Sequence, residues 1–148
     1  MNIENAKPED ASWLDEAIRE QFPYTSFTPQ HIIERINDPK YLVLVAKQVN
    51  IFTGFAELEF FLEKKEARLN AIYVEEAWRD QGIAIMLIEK VINTCKHKRI
   101  QRLFLLVKKN NEAAKGLYKK TGFTFEGMHD KVIDGSEVEV WAKDANKD

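Results

Sequence analysis

Two stretches of the chain combine reactive or ligand-holding residues at short, regular intervals. The first is Arg79-Asp80-Gln81-Gly82-Ile83-Ala84, which follows the apolar run Ile72-Tyr73-Val74 and opens a long periodic segment. A strand that turns tightly into a helix presents N–H groups without intrahelical partners at the positive end of the helix dipole. A phosphate fits such a place. Gly82 and Ala84 keep bulk away from a ligand that must touch the backbone. Arg79 adds a guanidinium whose fork suits pyrophosphate oxygens. The stretch has no Gly-Lys-Ser/Thr ending and no triplet of spaced glycines, so it is neither a P-loop nor a dinucleotide fingerprint. Taken alone, Arg-x-x-Gly-x-Ala is more often an ordinary helix start with a solvated arginine.

The second stretch is Asn111, Ala114, Leu117, Tyr118 and Gly122-Phe123. A phenol at Tyr118 could give a proton to a departing group. Ala114, Leu117, Tyr118 and Thr121 also make a plausible packing stripe, and the residues alone leave both readings open.

These stretches need elements to hold them. After an opening strand, a first helix starts near Pro8, with Ala11, Leu14 and Ile18 on one face. Thr28-Pro29 starts a second helix, Ile32, Ile33 and Ile36 give its stripe, and Asp38-Pro39 ends it. The link between them, Gln21 to Phe27, is rich in aromatics that could line an acceptor site or cover the end of a sheet. Tyr41 to Ala46 reads as a buried strand, and Ile51 to Leu62 as another, broken by Gly54. Arg68 to Val74 reads as a third, its alternation setting Leu69, Ala71 and Tyr73 against Asn70, Ile72 and Val74. The longest helix runs from about Gly82 to His97 with Ala84, Leu87, Ile88, Val91, Ile92 and Cys95 toward the core. A strand from Arg102 to Val107 follows, then a helix capped by Asn110 or Asn111 and stopped at Gly122. Phe123 to Ile133 and Ser136 to Trp141 pair around Asp134-Gly135. The strand-helix-strand unit implies some parallel pairing, and the short turns between earlier strands imply antiparallel pairing. The expected fold is α/β (α+β in some schemes), a central mixed sheet flanked by helices on both faces.

Length and composition bound the rest. With 148 residues the chain is expected to form one domain, 1–148, closing in a charged tail at 143–148. A net charge of −2 gives no global field for nucleic acid or anionic membrane. No apolar run reaches membrane-spanning length, and the start, Met1 to Asn5, lacks the regions of a signal peptide. One cysteine and three scattered histidines give no disulfide framework and no metal-ligand spacing, which suits a reducing cytoplasm. Cys95, on the long helix's apolar stripe, reads as a small hydrophobe rather than a nucleophile. The basic run Lys96 to Arg99 with Arg102 reads as a helix-end cap rather than a nucleic-acid patch.

The first stretch resembles motif A of the GNAT superfamily of N-acetyltransferases, Gln/Arg-x-x-Gly-x-Gly/Ala. The second resembles that family's motif B, Asn-x-x-Ala-x-x-Leu-Tyr followed by Gly-Phe, and Gly54-Phe55 resembles its third-strand Gly-Phe. The motifs stand in the family's order and spacing, and the element order matches across nearly the whole chain. The resemblance implies transfer of an acetyl group from acetyl-CoA to an amine. It implies that backbone N–H groups from Asp80 to Ala84, with Arg79, hold the CoA pyrophosphate. It implies further that Ile72 and Val74 pair with the pantetheine arm, that Asn111 and Ala114 adjoin the cofactor, and that Tyr118 protonates the leaving thiolate. Lys108, Lys109, Lys115 and the basic run are candidates for the adenosine 3′-phosphate.

The chain also departs from the family. Arg68 stands where histone-type relatives carry a base glutamate, and Leu106 where ribosomal-protein N-terminal acetyltransferases carry another. Glu57, Glu59, Glu137 and Glu139 are other candidates, each better read as a solvent-facing strand carboxylate; a water held by Asn70 is an equal option, and no base is assigned. The implied acceptor is a protein N-terminus, a lysine or a small amine, and the implied assembly a monomer or homodimer. The competing reading is a catalytically silent CoA-binding module of the same fold.

Overall fold

The computed structural model describes residues 1–21, 28–133 and 135–146. Among them the strands are β1 (Asn2–Asn5), β2 (Tyr41–Gln48), β3 (Ile51–Phe61), β4 (Glu66–Val74), β5 (Arg102–Lys108), β6 (Thr124–Ile133) and β7 (Ser136–Asp144). The helices are α1 (Ala11–Gln21), α2 (Pro29–Ile36), α3 (Ile83–His97) and α4 (Glu112–Lys120). The aromatic segment Phe22 to Phe27 and the turn residue Asp134 lie outside the described residues.

Local chemistry accounts for the element starts. The Thr28 hydroxyl accepts from the His31 N–H, and Pro29 supplies a first helical residue that needs no donor. The Asn111 side chain accepts from the Ala114 N–H at 3.1 Å and caps α4. At the other end Gly122, with φ 96, takes the left-handed turn that stops the helix.

The strands form one sheet in the order β1-β2-β3-β4-β5-β7-β6. Every neighbouring pair is antiparallel except β4 and β5, which α3 joins as a parallel crossover. Apolar side chains pack on both faces. Leu87, Ile88, Val91 and Cys95 of α3 meet Leu44, Leu58, Leu69, Leu103 and Leu105 on one face. Leu14 and Ala17 of α1 and Ile32 of α2 meet Val43, Val45 and Phe55 on the other. The mixed sheet with helices on both faces is the architecture expected.

Two features of β4 decide where a site can form. Its pairing with β5 runs only from Glu66↔Arg102 to Leu69↔Leu105. Beyond that point β4 is paired to β3 alone, while Leu106 to Lys108 pair with β7, so the two parallel strands splay. The second feature is a bulge. Leu58 pairs with Leu69 and Glu57 with Ala71, so Asn70 is an extra residue. The simple alternation expected for this strand therefore fails. Ala67 and Leu69 face the α3 core, but after the bulge so do Ile72 and Val74, while Ala71 and Tyr73 pack on the α1–α2 side.

The expected charged tail also gives way. Lys143 and Asp144 belong to β7, and Ala145 is fully buried, its N–H donating to the Gln101 carbonyl at 2.9 Å. The Asn146 amide donates to the Ile100 carbonyl at 2.7 Å.

Candidate active site

The loop from β4 into α3 is built by its own backbone. A 3-10 turn at Glu76–Trp78 follows the strand, Arg79 is extended, and Asp80 and Gly82 take left-handed φ values of 63° and 81°. Arg79 folds back so that its Nε donates to the Val74 carbonyl at 2.9 Å, with its guanidinium over the Tyr73 ring. Its terminal nitrogens have no protein partner among the described residues. Gly82 stands at the N-cap of α3, where it has no side chain to offer, and a Cβ there would meet nothing within 4 Å. The helical ladder starts with the Met86 N–H on the Gly82 carbonyl, which leaves the first-turn N–H groups open.

A cavity of about 390 Å³ lies against this helix start. It gathers Val74, Arg79, Asp80, Gly82, Ile83 and Ala84 of the expected site. Open donors, the positive helix end and a guanidinium are the groups that would suit an anion there. Four lining residues were not expected: Trp78, Ile85, Leu117 and Lys120. Lys120 adds a second cation to the lining. Its sequence signal was a last-turn lysine, indistinguishable from a helix-end cap.

Five expected residues stand off this lining. Gln81 is exposed, Ile72 and Ala114 pack against the α3 core, and Asn111 is occupied as the α4 cap. Tyr118 is buried, its ring 5.8 Å from that of Phe123, and burial pushes its phenol up to about 12. A phenol so placed stays protonated across the neutral range. Three of the basic candidates are engaged elsewhere. Arg102 sits between Glu66 and Glu126, Lys109 meets Glu137, and Lys115 holds the Lys109 carbonyl, Glu112 and Glu139.

The carboxylate candidates differ from expectation. One terminal nitrogen of Arg35 donates to both oxygens of Glu57 at 2.6 and 2.8 Å, and Lys40 pairs with Glu59 at 3.3 Å. The Asn70 amide nitrogen donates to both glutamates, at 3.0 and 3.1 Å. Glu139 is buried beneath α4, accepting from the Trp141 indole at 2.9 Å. Only Glu137 faces solvent as expected. The helices and strand partners that cover the others come from distant sequence. Cys95 is buried, and burial pushes its thiol up to about 12, which makes it an inert hydrophobe. Among the described residues, no group of three or more His, Cys, Asp or Glu could hold a metal, and no helix is long and apolar enough to cross a membrane.

The chain belongs to the acetyltransferase (GNAT) family, whose model matches residues 5–123. A protein of Bacillus subtilis (strain 168), provisionally named a ribosomal protein bS18-alanine N-acetyltransferase, is 27% identical over 128 residues, 85% of this chain and 82% of that one. Two solved structures share the fold. The PaiA N-acetyltransferase of Thermoplasma acidophilum, in complex with coenzyme A, has a TM-score of 0.80 at 22% identity, covering 97% of this chain and 98% of that one. A variant of the spermidine N-acetyltransferase SpeG of Vibrio cholerae has a TM-score of 0.84 at 17% identity, covering 98% and 95%. The chain is thus an acyltransferase of a family whose acyl donor is acetyl-CoA.

Proposed function

We propose that this protein transfers the acetyl group of acetyl-CoA to a primary amine by direct attack of the amine on the thioester. The observation that carries the reading is the continuity of the β4–β5 splay with the open helix start and the 390 Å³ cavity. In this reading the N–H groups of Asp80 to Ala84 bind the pyrophosphate, with Gln81 contributing backbone alone. Arg79 and Lys120 add charge. Ile72, and Val74 through its N–H because Arg79 already holds its carbonyl, offer backbone groups that β5 leaves unpaired to the pantetheine arm, as a strand offers its edge to an extended ligand. Asn111 fixes the first turn of α4, and Ala114 keeps the side facing the arm small. The amine nitrogen bonds to the acetyl carbon, the carbon–sulfur bond breaks, and the thiolate takes the proton of Tyr118; the proton that the amine sheds passes to solvent, from which the tyrosinate is reprotonated.

The acceptor is a protein N-terminus, a lysine side chain or a small amine. Relatives named for a ribosomal-protein alanine and for spermidine support an amine of some kind without choosing among these. The reading assigns one domain, a monomer or homodimer, and a cytoplasmic place suited to a lone buried thiol. The test is thiol release from acetyl-CoA with a panel of N-terminal peptides, lysine peptides, polyamines and amino acids. Amine-dependent release is the expected result. Tight CoA binding with no turnover on any amine would replace the enzyme with a silent CoA-binding module.

A further inference from the structure

The α2-facing side of β4 holds a polar cluster in which the hydrogen bonds do not close. Asn70 gives both hydrogens of its amide nitrogen to Glu57 and Glu59. Two carboxylates on one nitrogen fix the amide's orientation, because a flipped amide would set oxygen against oxygen. Its Oδ1 is buried and has no partner. Two residues back, Arg68 faces the same side, since Ala67 and Leu69 on either flank point into the α3 core. Glu59 lies directly across from Arg68 on β3, yet its carboxylate goes to Lys40 and Asn70 instead. Among the described residues Arg68 makes no hydrogen bond or ion pair, and its Nε is buried without a partner. Glu57 and Glu59 against Arg35, Lys40 and Arg68 leave the cluster one positive charge in excess. The same face of β4 thus carries an orphan acceptor and an orphan cationic donor, and burying either without a ligand costs free energy.

The position matters as much as the chemistry. Arg68 and Asn70 flank Leu69, the last residue of β4 paired with β5, so both stand at the apex of the splay. From Val74 at the cavity to Leu69 is five strand steps, roughly 16 Å. The apex is where an arm running from the anion site along β4 would end.

We propose that Arg68 and Asn70 form an acceptor subsite for an amine that also carries a carboxylate, with the Arg68 guanidinium on the carboxylate and the Asn70 Oδ1 on an amine hydrogen. Arg68 is then a specificity-determining residue, and the inference rests on the acetyltransferase reading above. A polyamine brings a second cation to a cluster already in positive excess, whereas a carboxylate neutralises it.

The test uses acceptor pairs matched but for the carboxylate, glycine with glycinamide and β-alanine with its amide, with spermidine as an acceptor without oxygen; kcat/KM is referred to the uncharged amine, because the amide of each pair is the weaker base. With saturating acetyl-CoA, each acid is expected to exceed its amide in kcat/KM by about 10-fold or more, a charge-assisted contact read as a rate ratio. Arg68→Ala raises KM for the acids by about that factor and leaves the amides within about 2-fold. Arg68→Lys recovers part of the preference, and Asn70→Ala raises KM for both members of each pair. Amides or spermidine used as well as the acids by the native protein would overturn the subsite, as would an equal effect of Arg68→Ala on acid and amide. If no amine is turned over, it is the acetyltransferase reading that fails. Calorimetric titration of acid and amide into CoA-bound protein then decides the subsite, and an acid that binds no tighter than its amide ends it.

Discussion

Strand β4 separates two proposed sites built in opposite ways. Toward α3, the loop from Val74 to Ala84 makes its anion site from backbone: two left-handed residues, an N-cap without a side chain, and open first-turn N–H groups. Toward α2, the apex cluster is made of side chains, contributed by β3, β4, α2 and the residue Lys40, and joined through Asn70. A backbone site suits a donor that every family member shares, because peptide groups are the same whatever the sequence. A side-chain site can be rewritten one residue at a time, which suits the acceptor. The contrast predicts that donor-side changes disturb CoA binding or chemistry for every acceptor, while apex changes disturb acceptor binding and leave CoA affinity alone.

The largest effect is expected at Tyr118. Tyr118→Phe should lower kcat by about 10²–10⁴-fold, the range for loss of a positioned general acid. Affinity for CoA should stay nearly unchanged, because the ring keeps its packing on Phe123. Single-turnover rates beside CoA titration check this with two acceptors. A rate unchanged across pH removes Tyr118 from the mechanism, and a loss confined to one acceptor breaks the division between the two sides of β4.

Next comes Gly82→Val. A β-branched residue at φ 81° is strained whatever the space around it, and its bulk enters the region that Gly82 keeps open. CoA affinity should fall by about 10–100-fold, with the loss equal for all acceptors. Calorimetry with CoA measures it, and Arg68→Ala, which should leave CoA affinity alone, is the control from the other side.

How legible each side was follows from how it is built. The donor loop was readable from Arg79 to Ala84 because a helix start, its glycine and its free N–H groups are local properties of the chain. The apex was not. Leu-Asn-Ala-Ile-Tyr-Val alternates equally well with or without a bulge, so nothing in Leu69 to Val74 announced that Asn70 is the extra residue. Glu57 and Glu59 alternate with Ala56, Leu58 and Phe60 like any half-exposed strand, and the cations that cover them come from α2 and the turn after it. Lys120 was missed for the same reason, since the rotation of α4 against α3 is a tertiary fact. The fold itself was largely readable in its element order and parallel crossover, while β7 was cut short because Lys143 and Asp144 look like a tail.

A smaller effect separates the cores behind the two sites. Both strongly raised acids, Cys95 and Tyr118, lie in the core on the α3 side. Each has a folded value above its unfolded one, so its stabilising share is complete below the unfolded value and is lost as pH rises toward the folded one. For Cys95 the window runs from 9.0 to about 12, and for Tyr118 from 10.0 to about 12. Stability should therefore decline above pH 9 by about 1.4 kcal/mol per pH unit for each group in its window. Denaturant midpoints against pH measure the slope. Cys95→Val should delay its onset toward pH 10, and Arg68→Ala should leave the onset in place.

The smallest effect is at Asn111, where the donor side uses a side chain after all. Its Oδ1 caps α4 through the Ala114 N–H, so Asn111→Ala should cost about 1 kcal/mol of stability. Asn111→Ser keeps a capping oxygen and should restore most of that loss. The pair distinguishes a cap from a contact to the cofactor arm. If CoA affinity follows stability, falling in the alanine variant and returning in the serine variant, Asn111 acts by fixing the first turn of α4. Should affinity fall equally in both while stability returns only with serine, Asn111 touches the ligand directly, and the donor side depends on one side chain that the backbone does not replace.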